Sequence, residues 1–158
     1  MRFFLINIML GLLWASLQQF RPIDFVSGFV LGFLILSLGR NWLDEGATPY
    51  VRRMPVFIGF IIFYIGELIT STWGVVQALF RNQSTLRPGL IAFPLEARTD
   101  LEIVLLNNLL SLTPGTLGVG LSADRKLLYV HVIDVPDPEV ARAHIRNGLE
   151  RRLLEVLR

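Results

Sequence analysis

Residues 54–80 read MPVFIGFIIFYIGELITSTWGVVQALF, an apolar run of 27 residues in which Glu67 is the one charged side chain. An α-helix rises about 1.5 Å per residue, so about 20 residues cross the roughly 30 Å hydrocarbon core of a bilayer. The run is long enough for that. It predicts a membrane helix and separates an apolar first half of the chain from a more polar second half.

Two shorter apolar runs come before this stretch and are separated by Arg21-Pro22. Proline fixes its own φ angle and favours turns, so the two runs are expected to form a helical hairpin. Charge also divides the chain, because residues 1–80 hold nine charged side chains and residues 81–158 hold nineteen. We therefore predict a transmembrane region at 1–80, with spans at about 3–20, 23–39 and 54–80, a linker at 81–87 and an α/β domain at 88–158.

The whole-chain composition excludes several classes of protein. Apolar residues make up 53% of the 158 residues, which is too many for a disordered chain. The chain has no cysteine, so it has no disulfide framework and no thiolate nucleophile or zinc–thiolate cluster. Its net charge of +2 is too small to indicate nucleic-acid binding.

The second half carries the signals of a small α/β domain. A capping box at Thr99-Asp100-Leu101-Glu102 opens a helix that ends before Pro114-Gly115, and Asp137-Pro138-Glu139 opens the last helix. Along that last helix Arg146–Glu150 and Arg151–Glu155 are expected to be ion pairs on the solvent side. With strands predicted at 89–95, 116–121 and 127–134, the order is β-α-β-β-α, which resembles a ferredoxin-like unit lacking its final strand.

Alternation along the strands predicts which side chains face the helices. Leu117, Val119 and Leu121 of one strand, with Leu128, Val130 and Val132 of the next, should face inward. The opposite face should then hold glycines and aromatic rings that a partner protein could contact: Gly118, Gly120, Tyr129 and His131. The alternative is that this face is simply solvated.

Glu67 is the most informative single residue. It lies 14 positions from both Arg53 and Arg81, about 21 Å of helix each way, which places it near the bilayer midplane. An ionised acid there costs several kcal/mol, so it is expected to be neutral, paired or next to water. Glu67 is either an element of a proton or cation path or a hydrogen-bonding contact to another helix or subunit. No Lys or Arg lies within a predicted span, so its partner is expected to come from another chain.

The sequence carries no recognisable enzyme site. The two histidines, His131 and His144, have no neighbours at the spacing of HExxH-type metal motifs. Gly118-x-Gly120 does not continue into a dinucleotide-binding pattern, and Pro114-Gly115-Thr116 is not a phosphate-binding loop. We therefore predict no enzymatic activity, no cofactor and no metal.

Several segments together resemble a known family. They are Trp14, Gly28-Phe29-Val30-Leu31-Gly32, Gly66-Glu67-Leu68-Ile69, Ser111-Leu112-Thr113-Pro114-Gly115-Thr116 and Tyr129-Val130-His131. With these segments the chain resembles, over nearly its full length, the E subunit (MrpE/MnhE) of the Mrp-type multisubunit sodium/proton antiporter. The resemblance implies a multi-pass protein of the bacterial inner membrane in a hetero-oligomer with subunits of the A, B, C, D, F and G types.

The resemblance also implies an orientation and a role. The C-terminal domain is expected in the cytoplasm, which with three spans puts the N-terminus outside. Arginine counts favour the opposite orientation by four to three, a margin too small to decide it. The implied function is that of an accessory subunit that supports assembly and, through Glu67, the ion path. The alternative function is a membrane-anchored binding or regulatory module that acts through its soluble domain.

Overall fold

A computed structural model of the chain describes residues 2–39, 42, 47–82 and 85–158. The chain forms two compact units, Met1–Ile58 and Gly59–Arg158. Its elements in chain order are α1 (Arg2–Leu17), α2 (Pro22–Leu38), α3 (Ala47–Phe80), β1 (Gly89–Pro94), α4 (Asp100–Leu112), β2 (Thr116–Leu121), β3 (Leu127–Val132), α5 (Pro138–Ile145), a π-helical turn (Arg146–Glu150) and α6 (Arg151–Leu157).

In the first unit, α1 and α2 form the expected hairpin. The two helices approach closely at glycines, since a Cβ added at Gly28 would lie 2.5 Å from the Cβ of Trp14. A Cβ at Gly32 would lie 2.2 Å from Asn7 Oδ1. Asn7 is fully buried, and its amide donates a 2.7 Å hydrogen bond to the Tyr50 hydroxyl at the start of α3. Small residues and one buried amide therefore hold this unit together.

Helix α3 is longer than the predicted span. It begins at Ala47 rather than at Met54. Pro49 is compatible with this start, because it lies in the first turn, where backbone N–H groups have no acceptor within the helix. Its portion Thr48–Phe80 is the single helix among the described residues that is long and apolar enough to cross a membrane, with a mean hydropathy of 1.8. Helices α1 and α2 are shorter apolar helices. In the predicted linker, Gln83 and Ser84 lie outside the described residues.

The second unit contains a three-stranded antiparallel sheet in the order β1-β3-β2. One face of the sheet packs against α4, α5 and α6 over buried side chains that include Phe93, Leu106, Leu128 and Val130. Phe60 of α3 belongs to the same core. The second unit thus takes in the C-terminal portion of α3 together with the predicted α/β region, whose β-α-β-β-α order is the observed one.

The predicted helix caps of the second unit are present, and one of them also makes a contact with a second helix. Thr99 accepts a hydrogen bond from the Glu102 amide, and Glu102 accepts bonds from the Arg98 and Thr99 amides at 2.8 and 3.1 Å. The Glu102 carboxylate also pairs with Arg158 at 3.0 Å. The Arg158 guanidinium, followed by the two amides, lowers the pKa of Glu102 to about 2. The capping residue therefore also ties α4 to the end of α6.

The predicted facing of β3 is correct, whereas that of β2 is correct at Leu121, which pairs with the buried Leu128, and wrong at Leu117. Leu128 and Val130 are buried, whereas Leu117 and Val119 are 52% and 58% exposed. Leu117 pairs with His131 on the uncovered face, and a bulge between Gly118 and Gly120 shifts the register. A small residue is required on the inner side because a Cβ at Gly118 would lie 1.7 Å from Asn107 Oδ1 of α4. Close packing against α4, rather than apolar alternation, therefore determines which residue of β2 faces inward at this point.

Candidate functional site

Glu67 lies against a side chain from the C-terminal part of its own chain. Its Oε1 atom is 2.7 Å from His144 Nε2, and the Glu67 side chain is 17% exposed. Helix α3 presents Glu67 on the same face as Phe60, Phe63 and Tyr64, which pack on the core of the second unit. Helix α5 brings His144 to that face.

This contact corrects the expected environment of Glu67. The expectation that the partner comes from another chain is wrong for this structure, because His144 supplies one. Local metal-motif spacing could not reveal the pair, since 77 positions separate its two members. His144 is itself 66% exposed, whereas the Glu67 side chain is mostly covered within the second unit.

Glu67 and His144 both line a small cavity. It has a volume of about 150 Å³. Three hydroxyl residues line it, Ser71 of α3 and both Thr113 and Thr116 of the turn after α4. Its apolar walls are Leu110, Ile145 and Leu149. The cavity therefore combines one carboxylate, one imidazole and three hydroxyls within a mostly apolar surrounding.

The end of α4 fixes the two threonines of the cavity. Thr113 Oγ1 donates to the Leu109 carbonyl at 2.8 Å, and Thr116 Oγ1 donates to the Leu110 carbonyl at 2.5 Å. Between them Gly115 adopts φ +88°, a conformation that side chains rarely take. The Thr-Pro-Gly-Thr segment thus makes a tight turn in which both threonine hydroxyls donate to carbonyls of α4, so their oxygen lone pairs remain as acceptors.

The predicted docking residues do not all share one face. Gly118 lies on the inner side against Asn107, so its predicted place on the outer face is wrong. Gly120 has open space where a Cβ would stand and pairs with Tyr129, which is half-buried. His131 is exposed on the same face. The outer face also carries large apolar side chains that alternation along the strands placed inside or did not assign: Leu90 (61% exposed) and Leu117, both paired with His131.

A buried carboxylate that no sequence pattern indicated lies in the π-helical turn. Glu150 was expected on the solvent side, paired with Arg146, but it is fully buried. Its Oε1 accepts bonds from the Glu96 and Ala97 amides at 2.7 and 3.0 Å, and Oε2 has no hydrogen-bond partner among the described residues. Burial raises the pKa of Glu150. The π turn rotates this position inward, while the predicted Arg151–Glu155 pair is present at 3.9 Å.

The described part of the chain holds no cluster of three or more histidine, cysteine or acidic side chains that could bind a metal. Its polar residues of interest lie instead in a small cavity beside a long apolar helix. The fold and this site define a class of protein that combines apolar helices, one of them long enough to cross a membrane, with a small α/β unit.

Comparison with known proteins identifies the family. The family model described as "Na+/H+ ion antiporter subunit" matches residues 7–156. The chain is 36% identical to the E subunit of the Na(+)/H(+) antiporter of Alkalihalophilus pseudofirmus, and the match covers 96% of each chain. The chain belongs to the family of Na+/H+ antiporter E subunits, whose members are transporter components, and the resemblance carried by the sequence segments is confirmed.

Two solved structures are similar in fold. A chain of the Mrp complex from a Dietzia species has 29% identity and a TM-score of 0.52, and the match covers 65% of this chain and 96% of that one. A chain of the membrane-bound sulfane sulfur reductase, an archaeal respiratory membrane complex, has a TM-score of 0.58 at 23% identity with 96% of both chains covered. The second likeness bears on the fold alone.

Proposed function

We propose that this chain is an accessory subunit of a multisubunit monovalent cation/proton antiporter, in which it supports assembly and places Glu67 on the ion path or at a contact between subunits. Family membership carries the first part of the proposal. The Glu67–His144 pair beside a polar cavity carries the second. Its partners are the other subunits of such an antiporter and the lipid bilayer, and it works without a cofactor or nucleic acid.

For the membrane arrangement we propose a multi-pass protein with three spans and a cytoplasmic C-terminal α/β domain. Helix α3 has 34 residues, about 51 Å, so it can cross a core of about 30 Å and still extend beyond it. Arg52 and Arg53 near its start can extend to the outer head groups.

Helices α1 and α2, with 16 and 17 residues, span about 24 to 26 Å. They are short for the hydrocarbon core, so crossing requires a locally thinner bilayer or neighbouring subunits.

For the α/β domain, the sheet order β1-β3-β2 supports a ferredoxin-like unit that lacks the strand next to β1. We keep the predicted division at residues 81–87 as the boundary of the exposed cytoplasmic part.

The role of Glu67 is tested by sodium-driven proton exchange in everted membrane vesicles. Glu67→Gln preserves the shape of the side chain and removes its charge, so exchange should fall while the subunits still copurify. Glu155→Gln is the matched control, because Glu155 is an exposed acid of the same unit that pairs with Arg151 at 3.9 Å. Unchanged exchange with Glu67→Gln would rule out the ion path and leave the assembly role.

The outer sheet face is the proposed contact with another protein of the complex. Gly120 lies on it with open space above, beside Tyr129 and His131. Gly120→Arg should reduce the recovery of partner subunits in mild detergent without unfolding the α/β unit, whereas Lys126→Ala, in the exposed β2–β3 turn, should not. Recovery of the chain alone, even without substitution, would instead favour the membrane-anchored regulatory module.

A further inference from the structure

An open apolar groove lies where helix α3 ends. It has a volume of about 280 Å³, and its lining residues come from the last turns of α3, the segment before β1 and the position after β3. They are Val75, Ala78, Leu79, Leu86, Pro88 and Ile133. A Cβ added at Gly115 would lie 3.1 Å from Ile133 Cγ2 and 3.2 Å from Val75 Cγ2, so the helix and the end of β3 approach each other closely there.

The groove is continuous with the exposed apolar side of α3. Leu79 lines the groove and is 74% exposed, and the adjacent Phe80 is 88% exposed. Trp73, earlier on the helix, is 63% exposed, and tryptophan rings favour the membrane interface. Among the described residues, α3 contains the helical segment that is long and apolar enough to cross a membrane. Acyl chains that cover this end of α3 can therefore continue into the groove.

Two arginines flank the groove. Arg81 directly follows α3, and its Nη1 lies 3.8 Å from Asp134 Oδ2 while 59% of its side chain is exposed. Arg87 stands in the chain between the lining residues Leu86 and Pro88 and is exposed. Its backbone N–H donates to Asp134 Oδ1 at 3.2 Å, and its guanidinium makes no ion pair with the residues that the structure describes. Two guanidinium groups and one carboxylate leave this rim with one net positive charge.

An apolar groove with this rim matches the chemistry of an anionic phospholipid. The groove suits a segment of acyl chain, and the net positive charge suits a phosphodiester, which carries one negative charge. Arginine is well adapted to phosphate because its planar fork can donate two parallel hydrogen bonds. A zwitterionic head group would bring a second cation to the rim. A protein segment would need partners for its backbone N–H and C=O groups, which apolar side chains do not supply.

We infer that the groove at the end of α3 binds one anionic phospholipid, with an acyl chain against Leu79 and Ile133 and the phosphate held by Arg81 and Arg87. This site goes beyond the proposed function, which names the bilayer as a whole and assigns no lipid to any residue. The inference rests on one part of that proposal, namely that α3 lies in the membrane. It does not depend on the role of Glu67 or on ion exchange.

The test is a lipid titration of the full chain in mild detergent, followed by native mass spectrometry. Phosphatidylglycerol and phosphatidylcholine with the same acyl chains are compared. One basic residue near an anionic head group strengthens binding by about fivefold, so the first phosphatidylglycerol should bind about fivefold more tightly than the first phosphatidylcholine. Glycerol 1-phosphate should not displace it, because the head group alone lacks the contact with the groove.

Variants locate the preference in the groove. Arg87→Gln should reduce it about fivefold, to near equality of the two lipids, and Ala78→Leu should weaken both lipids by filling the groove. Lys126→Gln is the matched control, because it removes one positive charge from the exposed β2–β3 turn and should keep the preference. An unchanged near-ultraviolet circular dichroism spectrum shows that a variant is folded. Arg87→Gln, at an exposed position, decides the matter if Ala78→Leu is not folded.

Three results would overturn the inference. They are equal binding of the two lipids by the unsubstituted chain, displacement of the lipid by glycerol 1-phosphate, and a loss with Lys126→Gln as large as that with Arg87→Gln. Copurification of subunits and exchange in vesicles decide the proposed function separately, since the lipid titration uses the chain alone. A lipid preference that persists when both of those assays fail would support the lipid site and reject the antiporter role.

Discussion

The two units of the chain are stabilised in different ways. In the second unit a set of large apolar side chains is almost fully buried, among them Phe93, Leu106 and Val130 at 0% exposure. In the first unit few large side chains are buried, while Leu5, Met9 and Leu17 are 58–72% exposed. Apolar area is stabilising only when it leaves water. The second unit therefore has its own core, and the first depends on lipid or partner helices to cover its surface.

The largest expected difference between the units comes from core truncation. Phe93→Ala should lower the free energy of unfolding of the second unit by about 3–5 kcal/mol, because it removes a buried ring from a packed core. Leu5→Ala, at an exposed position of α1, should leave that transition unchanged. Denaturant unfolding of the full chain in detergent, followed by near-ultraviolet circular dichroism, measures both. Equal losses would show that the two units share one core.

A smaller effect separates the two glycines of β2. Gly118→Ala should cost about 1–3 kcal/mol of stability, because its Cβ would overlap the Asn107 side chain. Gly120→Ala should change stability little, since nothing lies within 4 Å of its added Cβ. Adding Asn107→Ala to Gly118→Ala should restore part of the loss. A Gly120 variant as unstable as the Gly118 variant would contradict the observed register.

Two carboxylates of the second unit predict opposite dependences on pH. The folded-state pKa of Glu102, about 2, lies below its ordinary value, so its stabilisation is present above pH 4.5 and is lost as the pH falls toward 2. The folded-state pKa of Glu150 is raised, so its neutral form is favoured and stability falls as the pH rises through that value.

Thermal unfolding between pH 2 and pH 8 checks both signs. Glu102→Gln should flatten the acid limb of the melting temperature, and Glu150→Gln should flatten the fall toward higher pH. Glu139→Gln, at an exposed acid, is the control for both variants. An acid limb that survives Glu102→Gln would assign acid unfolding to other carboxylates.

The sequence was most informative where local rules decide the structure. The helix hairpin at Arg21-Pro22, the Thr99 capping box and the β-α-β-β-α order follow from turn, cap and periodicity signals, and all three are observed. The facing of Leu117 and Gly118 in β2 did not follow, because close packing of Asn107 on Gly118 overrides apolar alternation. The burial of Glu150 depends on a π turn that no local signal of the sequence indicated.

One of the two members of the candidate site, Glu67, could be predicted from the sequence, and the other, His144, could not. Glu67 was evident as a lone acid in an apolar run, whereas its partner lies 77 positions away and reaches it only through tertiary packing. Because each of the two side chains is unremarkable in its own segment, no spacing rule could have paired them. Long-range partners of this kind are visible in coordinates and not in periodicity.

The pairing of Glu67 with His144 within one chain is tested most directly by cross-linking in the assembled complex. The chain has no cysteine, so Glu67→Cys/His144→Cys introduces a single pair without background. A short bifunctional methanethiosulfonate reagent, which joins thiols too far apart for a direct disulfide, should produce an intrachain cross-link, seen as a shift in gel mobility that reductant reverses. Ile69→Cys/His144→Cys, with Ile69 65% exposed on another face of α3, should not cross-link. A Glu67→Cys side chain that cross-links to a different protein of the complex, or to nothing, would contradict the account.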